Sequence, residues 1–321
     1  MKHIIKFITM AILLILIFSC TKNPVNSVDN PDQGERILFI RNKQKISEIC
    51  TMRPDGTDIR VISHFKSDDY IKQCYSEAKW SPDKSKILVV GGPETTMEWT
   101  PIWIMDNDGN FLYKLTWNGV SAIWSPDGEN IVFSRRKGYF SLIHDLYIID
   151  SNGQNERILI ETEDRSIFAT DWSKDGERLL FMEEYFYYDS TGKLDSDKFE
   201  IGILNINSLE NVYLTDNNIQ DMYACWNPDE SKIVYVSGIR DSIDIYIIDL
   251  ETRIKTNLTQ NPVIYYSPIW SPDELKIIYT KSLKGNYIED IYILDIKNRA
   301  TKKITNSFYT GYRYCCMDWR E

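Results

Sequence analysis

A tryptophan that recurs six times in similar surroundings constrains the fold of this chain more than any other feature of its sequence. Five of the segments read AKWSPDKSKILVV, AIWSPDGENIVFS, TDWSKDGERLLFM, ACWNPDESKIVYV and PIWSPDELKIIYT, and the sixth is the shorter MDWRE. Self-similarity at a period of 44 to 54 residues indicates that each repeat forms one supersecondary unit, which packs on its neighbours. The repeated tryptophans are Trp80, Trp124, Trp172, Trp226, Trp270 and Trp319.

Each repeat contains four segments with the character of β-strands. The Trp segment and the apolar stretch after Pro-Asp are followed by a segment such as DIYIIDLETR and then by a shorter one such as TNLTQ. Alternating apolar and β-branched residues bounded by Asp, Asn and Gly predict half-buried strands that are joined by tight turns. Four short antiparallel strands per repeat predict one blade of a β-propeller.

The two ends of the repeat region predict how such a ring closes. Residues 37–62 supply three strands with no Trp strand before them, and Trp319 lies in a Trp strand with no partner strands after it. Pairing the last strand with the first hides the sheet edges that would otherwise be exposed. The sequence therefore predicts an all-β fold over residues 36–321. This fold is a six-bladed β-propeller of four-stranded antiparallel blades, closed by the C-terminal strand that completes the first blade.

The motif WSPDG, followed by a strand and then by a D-I-Y-I-x-D strand, resembles the WD40-like (PD40) repeats of the C-terminal propeller domain of TolB. Similar repeats occur in the propeller domains of some exported peptidases. The resemblance covers essentially all of residues 37–321. It implies the propeller fold only, because the role of TolB in envelope assembly and the activity of the peptidases depend on other domains.

Residues 1–35 predict export and a lipid anchor. A basic start with Lys2 and Lys6 precedes a short apolar segment. This pattern is typical of a secretory signal, and the segment is short for a membrane span. The following Ile-Phe-Ser-Cys resembles the lipobox of bacterial lipoproteins. Residues 1–19 are therefore interpreted as a lipoprotein signal peptide, Cys20 as the lipidation site, and 20–35 as a flexible tether. Thr21 in place of aspartate favours the outer membrane, while a plain secretory signal or an uncleaved anchor stays the alternative.

Charge and cysteine content exclude several classes of partner and site. The net charge of −10 repels nucleic acid and anionic lipid headgroups, so contact with the membrane is expected through the anchor only. Besides Cys20 there are five cysteines without CxxC spacing, which argues against a disulfide framework and a zinc site. A single disulfide from Cys74 to Cys315 or Cys316 is the alternative. Buried free thiols are preferred.

Residues that repeat in every unit are interpreted as structural. Each indole is expected to fill the space between neighbouring blades, and each Pro-Asp to set the turn into the next strand. Asp106 to Gly109 resemble part of a calcium loop, but the later bidentate acidic ligand is missing, so an ordinary turn is predicted and calcium stays an alternative. No cofactor and no metal are predicted.

The loops that join the second strand to the third, and those that lead into each Trp strand, emerge on one face of a propeller. We call this the variable-loop face, because these loops differ in length and composition, and binding usually resides in such loops. In the fourth repeat, an insertion that carries Tyr185 to Tyr188 is expected to arch over the central channel. The candidate ligand-binding residues of this face are Tyr75, Glu77, Trp99, Tyr139, His144, Tyr187, Arg240, Tyr265, Tyr266, Tyr312 and Arg313.

The sequence offers no catalytic constellation. There is no GxSxG elbow, and beyond the leader the only histidines are His64 and His144. A two-histidine site with Asp68, Asp69 or Glu77 is conceivable but disfavoured. The predicted function is a non-catalytic, monomeric binding or scaffolding propeller that engages an envelope protein or glycan. The alternatives are a carbohydrate-active lyase or glycosidase that uses carboxylates on the same face, and a purely structural module.

Overall fold

The computed structural model describes residues 34–43, 46–66, 75–96, 100–138, 141–188, 194–239, 242–261, 263–282, 289–306 and 313–320. The described residues form 24 β-strands and no α-helix. Accordingly, this part of the chain holds no apolar helix long enough to cross a membrane. The predicted signal peptide, Cys20 and the tether up to residue 33 lie outside the described residues.

The strands form six groups of four, which we number in chain order. Group I contains β1 (Arg36–Lys43), β2 (Ile46–Met52), β3 (Arg60–Lys66) and the last strand, β24 (Arg313–Arg320). Group II contains β4 (Tyr75–Trp80), β5 (Lys86–Gly91), β6 (Pro101–Asp106) and β7 (Phe111–Trp117). Group III contains β8 (Gly119–Trp124), β9 (Asn130–Arg136), β10 (His144–Asp150) and β11 (Arg157–Ile160).

The second half of the chain repeats this arrangement. Group IV contains β12 (Arg165–Trp172), β13 (Arg178–Tyr188), β14 (Leu194–Asn205) and β15 (Asn211–Tyr213). Group V contains β16 (Gln220–Trp226), β17 (Lys232–Ile239), β18 (Ser242–Asp249) and β19 (Lys255–Asn257). Group VI contains β20 (Ile264–Trp270), β21 (Lys276–Ser282), β22 (Glu289–Asp295) and β23 (Thr301–Lys303).

Pairing within each group is antiparallel, as the sequence predicts. Groups I, II and III are separate sheets, whereas single parallel bridges, Phe199 with Gln220 and Ile243 with Ile264, join groups IV to VI. No hydrogen-bonded sheet therefore runs through all the described strands. In group I, β24 pairs with β1 and places Trp319 opposite Ile37. The strands that carry the repeated tryptophans, which we call the Trp strands, contact one another in the order β24, β4, β8, β12, β16, β20 and back to β24.

The core lies between the groups. Six hydrophobic clusters of buried residues each join two adjacent groups, and one of them joins group VI to group I. Second strands such as β5 are buried along their length because both of their faces meet apolar neighbours. Trp124, Trp226, Trp270 and Trp319 belong to these clusters, and Trp80 and Trp172 pack against them.

The Ser-Pro-Asp segments, replaced by Ser-Lys-Asp in group IV and Asn-Pro-Asp in group V, form the turns between first and second strands. In group II, the Ser81 hydroxyl donates to Asp83 Oδ1 at 2.6 Å, and the Ser85 backbone N–H donates to the same oxygen at 3.0 Å. These hydrogen bonds lower the pKa of Asp83 to about 2. Equivalent bonds in four other groups lower the pKa values of Asp127, Asp175, Asp229 and Asp273.

The first aspartate of the D-I-Y-I-x-D motif ties the third strand to the segment that follows the fourth. Asp244 Oδ1 accepts a hydrogen bond from the Thr259 hydroxyl at 2.8 Å, and that hydroxyl accepts one from the Ile245 N–H at 3.0 Å. Asp290 and Thr305 repeat the hydroxyl bond at 2.9 Å. The repeated Leu-Thr or Ile-Thr segment is thus the partner of the repeated aspartate.

The fourth-repeat insertion lengthens a hairpin. Strands β13 and β14 have 11 and 12 residues, and their pairing continues from Tyr185 opposite Lys198 to Tyr188 opposite Leu194. The insertion therefore adds antiparallel ladder on either side of residues 189–193, where the sequence predicts a loop arching over the channel. Tyr187 is 41% exposed on this hairpin.

Candidate functional site

The Trp strands line a cavity of about 1090 Å³, which we call the central cavity. Side chains alternate between the two sides of a regular strand, so the residue just before a Trp lies on the side opposite the indole. The residues one place before the six tryptophans all line the cavity: Lys79, Ile123, Asp171, Cys225, Ile269 and Asp318. Residues three places before a Trp line it as well: Glu77, Ser121, Ala169, Tyr223 and Ser267.

Three carboxylates of the central cavity bind the backbone of the next Trp strand. Glu77 accepts the N–H groups of Ser121 at 2.8 Å and of Ala122 at 3.0 Å. Asp171 Oδ2 accepts the Trp226 N–H at 2.8 Å, and Asp318 Oδ2 accepts the Trp80 N–H at 2.9 Å. These bonds hold neighbouring groups together and satisfy backbone donors that would otherwise be unpaired beside the cavity.

Burial raises the pKa values of Glu77 and Asp171. The accepted backbone N–H bonds and the nearby Lys79 ammonium act in the opposite direction, but loss of hydration dominates for both carboxyls. Both side chains remain half-buried, and both line the central cavity. For Glu77 and Asp171, the hydrogen bonds and the Lys79 charge thus do not make up for the hydration that the ionised carboxylate loses on burial.

Lys79 is the cation of the cavity interior among the described residues. Its Nζ donates to the Met317 carbonyl oxygen at 3.1 Å. Among the ion pairs within 4.0 Å found in the described residues, none joins Lys79 to a carboxylate. Lys79 therefore acts on Glu77 and Asp171 through space, without direct contact.

Cys225 adds a thiol to the same surface. It is a free, half-buried cysteine, and burial together with the Asp171 charge raises its thiol pKa well above the usual range. A thiol that stays protonated is a poor nucleophile. Cys225 thus contributes a weakly polar wall.

The central cavity reaches the Ser-Pro-Asp turns. Prolines of four turns lie in its lining, and these turns follow the C-terminal ends of the Trp strands, away from the variable-loop face. The aromatic side chains Tyr223, which is 38% exposed, and Tyr266, which is half-buried, also line it. The prolines are Pro82, Pro126, Pro228 and Pro272.

Two candidate ligand-binding residues, Glu77 and Tyr266, line the central cavity. The structure differs from the prediction at Tyr75 and Tyr265, which are only 1% and 2% exposed. They pack in the clusters between groups, where Tyr75 Oη lies 3.2 Å from Ser63 Oγ and Tyr265 Oη accepts from Asn261 at 3.3 Å. Neither presents its ring on the variable-loop face.

His144 is half-buried at the start of β10. Its Nδ1 lies 2.9 Å from the Leu142 carbonyl oxygen, its ring packs 5.2 Å from that of Phe168, and burial lowers its pKa. Trp99, Tyr139, Arg240 and Tyr312 lie outside the described residues, as does Cys74; the side chains of Arg313, Cys315 and Cys316 do too.

The structure does not bring the two histidines together. His64 lies on β3 in group I and His144 on β10 in group III, with group II between them. Asp68 and Asp69 lie outside the described part of the chain. Within that part, no three or more His, Cys, Asp or Glu side chains are grouped to hold a metal ion.

The candidate calcium segment forms a turn between β6 and β7. Asp106 Oδ1 accepts the N–H groups of Asp108 at 3.0 Å and of Asn110 at 2.8 Å. Asp106 Oδ2 accepts from the Asn110 amide at 3.0 Å. Both carboxylate oxygens of Asp106 thus accept hydrogen bonds within the turn.

The lining residues that were not among the sequence-predicted candidates include Lys79, Asp171, Tyr223, Cys225 and Asp318. The signal was present, because the repeated Trp fixes which side of each strand faces the neighbouring group. Counting back one and three places from each Trp gives eleven residues of the cavity lining. The candidates were instead drawn from the loops, where binding residues are usually found.

Comparison with known proteins agrees with this architecture. Residues 184–311 match PD40, the TolB beta propeller domain. Residues 184–311 thus resemble the repeats of TolB propeller domains. No curated protein sequence matches the chain.

Among solved structures, TolB from Acinetobacter baumannii is 18% identical with a TM-score of 0.67, and the match covers 89% of this chain and 66% of that TolB. The chain thus spans just under two thirds of that TolB. A nidogen/laminin complex gives 10% identity and a TM-score of 0.63, with 89% of this chain and 98% of the other covered. An oligogalacturonate lyase in complex with manganese is 15% identical with a TM-score of 0.52, and the match covers 85% of this chain and 74% of the lyase. At these identities, the likeness of the TolB-type repeats to solved structures shows the fold alone.

Proposed function

We propose that this chain is a non-catalytic binding propeller whose partner protein docks at the central cavity. In this proposal the six strand groups are the blades of one six-bladed ring, and β24 closes the ring by completing the first blade. The cyclic order of contacts among the Trp strands and the hydrophobic cluster between groups VI and I support the closed ring.

The observation that carries the proposal is the chemistry of the cavity lining. Trp recurs in all six repeats and the turn aspartate in five, whereas the position before each Trp holds Lys, Ile, Asp, Cys, Ile and Asp in turn. Asp171 and Asp318 also bind the backbone of a neighbouring strand, but packing alone would favour similar residues at equivalent positions, so the variety at this position supports recognition. A cavity of about 1090 Å³ has room for a small loop of a partner.

Site-specific crosslinking in cells tests where the partner docks. A photoreactive phenylalanine analogue would replace Tyr223 in the cavity or Tyr187 on the β13–β14 hairpin, two tyrosines of similar exposure at 38% and 41%. We expect a discrete protein adduct from position 223. An adduct from position 187 alone would place binding on the variable-loop face, where a protein or glycan partner was first expected. Adducts from neither position would contradict the proposal.

The proposal includes display at the bacterial envelope through a lipid on Cys20, preferentially at the outer membrane. It rests on the charged start, short apolar segment and lipobox-like residues of the leader. Metabolic labelling with a palmitate analogue should mark the wild-type protein and not Cys20→Ser. Equal labelling of both would remove the anchor from the proposal.

A carbohydrate-active enzyme is the second candidate. It is favoured by two cavity carboxyls, Glu77 and Asp171, with raised pKa values, since a protonated carboxyl can serve as a general acid. Depolymerisation of a polysaccharide by the wild type, lost in Glu77→Gln or in Asp171→Asn, would replace the binding proposal with this one.

A further inference from the structure

We infer that a row of cations on groups V and VI binds the headgroups of a bilayer that contains anionic phospholipids. The inference rests on the membrane attachment in the proposed function, and not on the partner at the central cavity. The cations are exposed and lie in or just after the turns between third and fourth strands. We call them the cationic strip: Arg253, Lys255, Lys297, Arg299 and Lys302.

The cationic strip lies on the face opposite the variable-loop face. Within a group, the turn between third and fourth strands is bonded to the turn between first and second strands. The Leu250 N–H donates to the Ser231 oxygen at 3.0 Å, and the Ile296 N–H donates to the Leu275 oxygen at 3.0 Å. Both kinds of turn thus form one face, which we call the turn face. Ile296 also packs on the cluster that joins groups V and VI, so the two parts of the strip are neighbours.

The strip reverses the charge of the equivalent turns elsewhere. From the end of the third strand to the third residue of the fourth, groups V and VI carry six basic and three acidic residues, in 249–257 and 295–303. The equivalent segments of groups II to IV carry one basic and five acidic residues, in 106–113, 150–159 and 205–213. The net charge of −10 opposes contact of the whole chain with anionic lipid, but a Debye length of about 8 Å makes the local charge decisive.

The cations of the strip are also unpaired. Among the ion pairs within 4.0 Å found in the described residues, none includes a member of the strip. Two of the three acids are used by their own turns. Asp249 Oδ1 accepts the Thr252 N–H at 2.9 Å, and Asp295 Oδ1 accepts the Lys297 N–H at 3.0 Å. The strip therefore presents positive charge to a partner outside the chain.

Two exposed aliphatic side chains lie among these cations. Ile254 and Leu275 are each 62% exposed. Ile254 lies between two cations of the strip in the sequence, and Leu275 is bonded to the turn that holds Lys297. Cations attract lipid phosphates, and apolar side chains beside them reach the acyl chains below. Nucleic acid offers phosphate without an apolar layer, so a bilayer fits both observations.

The chain also enters the described structure on the turn face. Arg36 at the start of β1 pairs with Arg320 at the end of β24, and Trp strands such as β24 end at the turn face. This position is in group I, which shares a hydrophobic cluster with group VI. Residues 21–35 join it to Cys20, the proposed site of the lipid. The anchor is thus attached to the face that carries the cationic strip.

A fluorescent probe tests which face meets the bilayer. The full chain, purified in mild detergent, is reconstituted into vesicles of phosphatidylcholine alone or with about one third phosphatidylglycerol. A dansyl amino acid replaces Leu275, or Ile239 as the matched control, which is also 62% exposed but ends β17 on the variable-loop face. We expect blue-shifted emission from position 275 in the anionic vesicles only, and none from position 239. About 1 M salt should abolish the shift, because the Debye length is then about 3 Å.

Charge variants test the strip itself. Each cation near an anionic surface strengthens binding about fivefold, so Lys255→Gln with Lys297→Gln should weaken the contact about tenfold or more and remove the shift at position 275. Lys84→Gln with Arg157→Gln removes the same charge from exposed residues on the turn face of groups II and III, and should leave the shift unchanged.

A vesicle-bound wild type without a shift at position 275 would assign the strip to an acidic protein surface and overturn the inference. An equal shift at position 239, or an equal loss in both charge variants, would overturn it as well. Failure of the wild type to bind either vesicle would overturn the anchor together with the inference. A normal shift without palmitate labelling would remove the lipid and support the inference, because an uncleaved leader also holds the chain at the bilayer.

Discussion

The turns between third and fourth strands differ between the two halves of the described structure. In groups I to III the turn closes with a backbone bond from residue i to i+4, as from the Asp106 N–H to the Asn110 oxygen, and contains a glycine. In groups IV to VI it is one residue longer, as from the Asn205 N–H to the Glu210 oxygen, and holds a left-handed residue other than glycine. The glycines Gly56, Gly109 and Gly153 have φ of 89°, 89° and 87°, and Leu209, Arg253 and Arg299 have 61°, 59° and 62°.

Two of the three first-half turns have no room for a side chain, because they touch the preceding group. A Cβ on Gly109 would lie 2.1 Å from the Ile62 carbonyl oxygen on β3, and one on Gly56 would lie 2.4 Å from the Ile304 carbonyl oxygen. Gly153 is looser, since its nearest atom would be the Leu115 oxygen at 3.5 Å. The same hairpin can thus be closed in two ways. At Gly56 and Gly109 the shorter turn brings its backbone against the neighbouring group and excludes a side chain.

The largest expected effect lies where the two halves meet. Trp319 is 5% exposed in the cluster between groups VI and I, whereas the half-buried Trp172 packs at the other meeting place, between groups III and IV. We expect Trp319→Ala to lower the free energy of unfolding by about 4 kcal/mol because it empties a closed core, and Trp172→Ala to lower it less. Urea unfolding of both variants measures this. Equal losses would show that the two meeting places are equivalent.

Gly109→Ala tests the contact that distinguishes the first-half turns. We expect a loss of about 3 kcal/mol, because the methyl group meets a backbone oxygen and the residue keeps a left-handed φ. Gly153→Ala shares the φ but not the close approach, so it should lose about 1 to 2 kcal/mol. Chemical denaturation of the pair separates the two causes. A Gly153→Ala loss as large as that of Gly109→Ala would assign the whole effect to φ.

Glu77 and Asp83, both in group II, should respond to pH with opposite sign. The raised folded-state pKa of Glu77 means that the folded state holds its proton more tightly, so its contribution to stability falls as pH rises from the ordinary pKa of 4.5 through the raised value. The lowered pKa of Asp83 means that its contribution is present above 3.8 and is lost as pH falls toward about 2.

Unfolding free energies of the wild type, Glu77→Gln and Asp83→Asn across this pH range measure both slopes. Subtracting each variant from the wild type removes the other titrating groups. The difference for Glu77→Gln should shrink with rising pH and that for Asp83→Asn should grow. Slopes of the same sign would contradict the assigned environments.

The sequence predicts the four-stranded antiparallel groups because each repeat contains the strand pattern, the turn residues and the Trp that packs between groups. The position of Asp171 and Cys225 before a repeated Trp can be read from the sequence, but the cavity that they line forms only when the Trp strands of different groups come together. Tyr75 and Tyr265 were expected on the variable-loop face, but their side chains are buried between groups. An aromatic residue at the entry to a strand is the same letter in the sequence whether it faces solvent or the adjacent group.

The smallest expected effect is in the second-half turns. Arg253→Gly removes a side chain from a left-handed residue, which relieves a local cost of about 1 kcal/mol, but glycine also gains freedom in the unfolded chain by a similar amount. We expect a net change within about 0.5 kcal/mol, and a small gain if the relief of strain exceeds the cost of ordering a glycine. Thermal unfolding beside Gly109→Ala gives the contrast directly. A loss of more than about 1 kcal/mol would mean that the Arg253 side chain has a packing role and that the second-half turns are as demanding as the first.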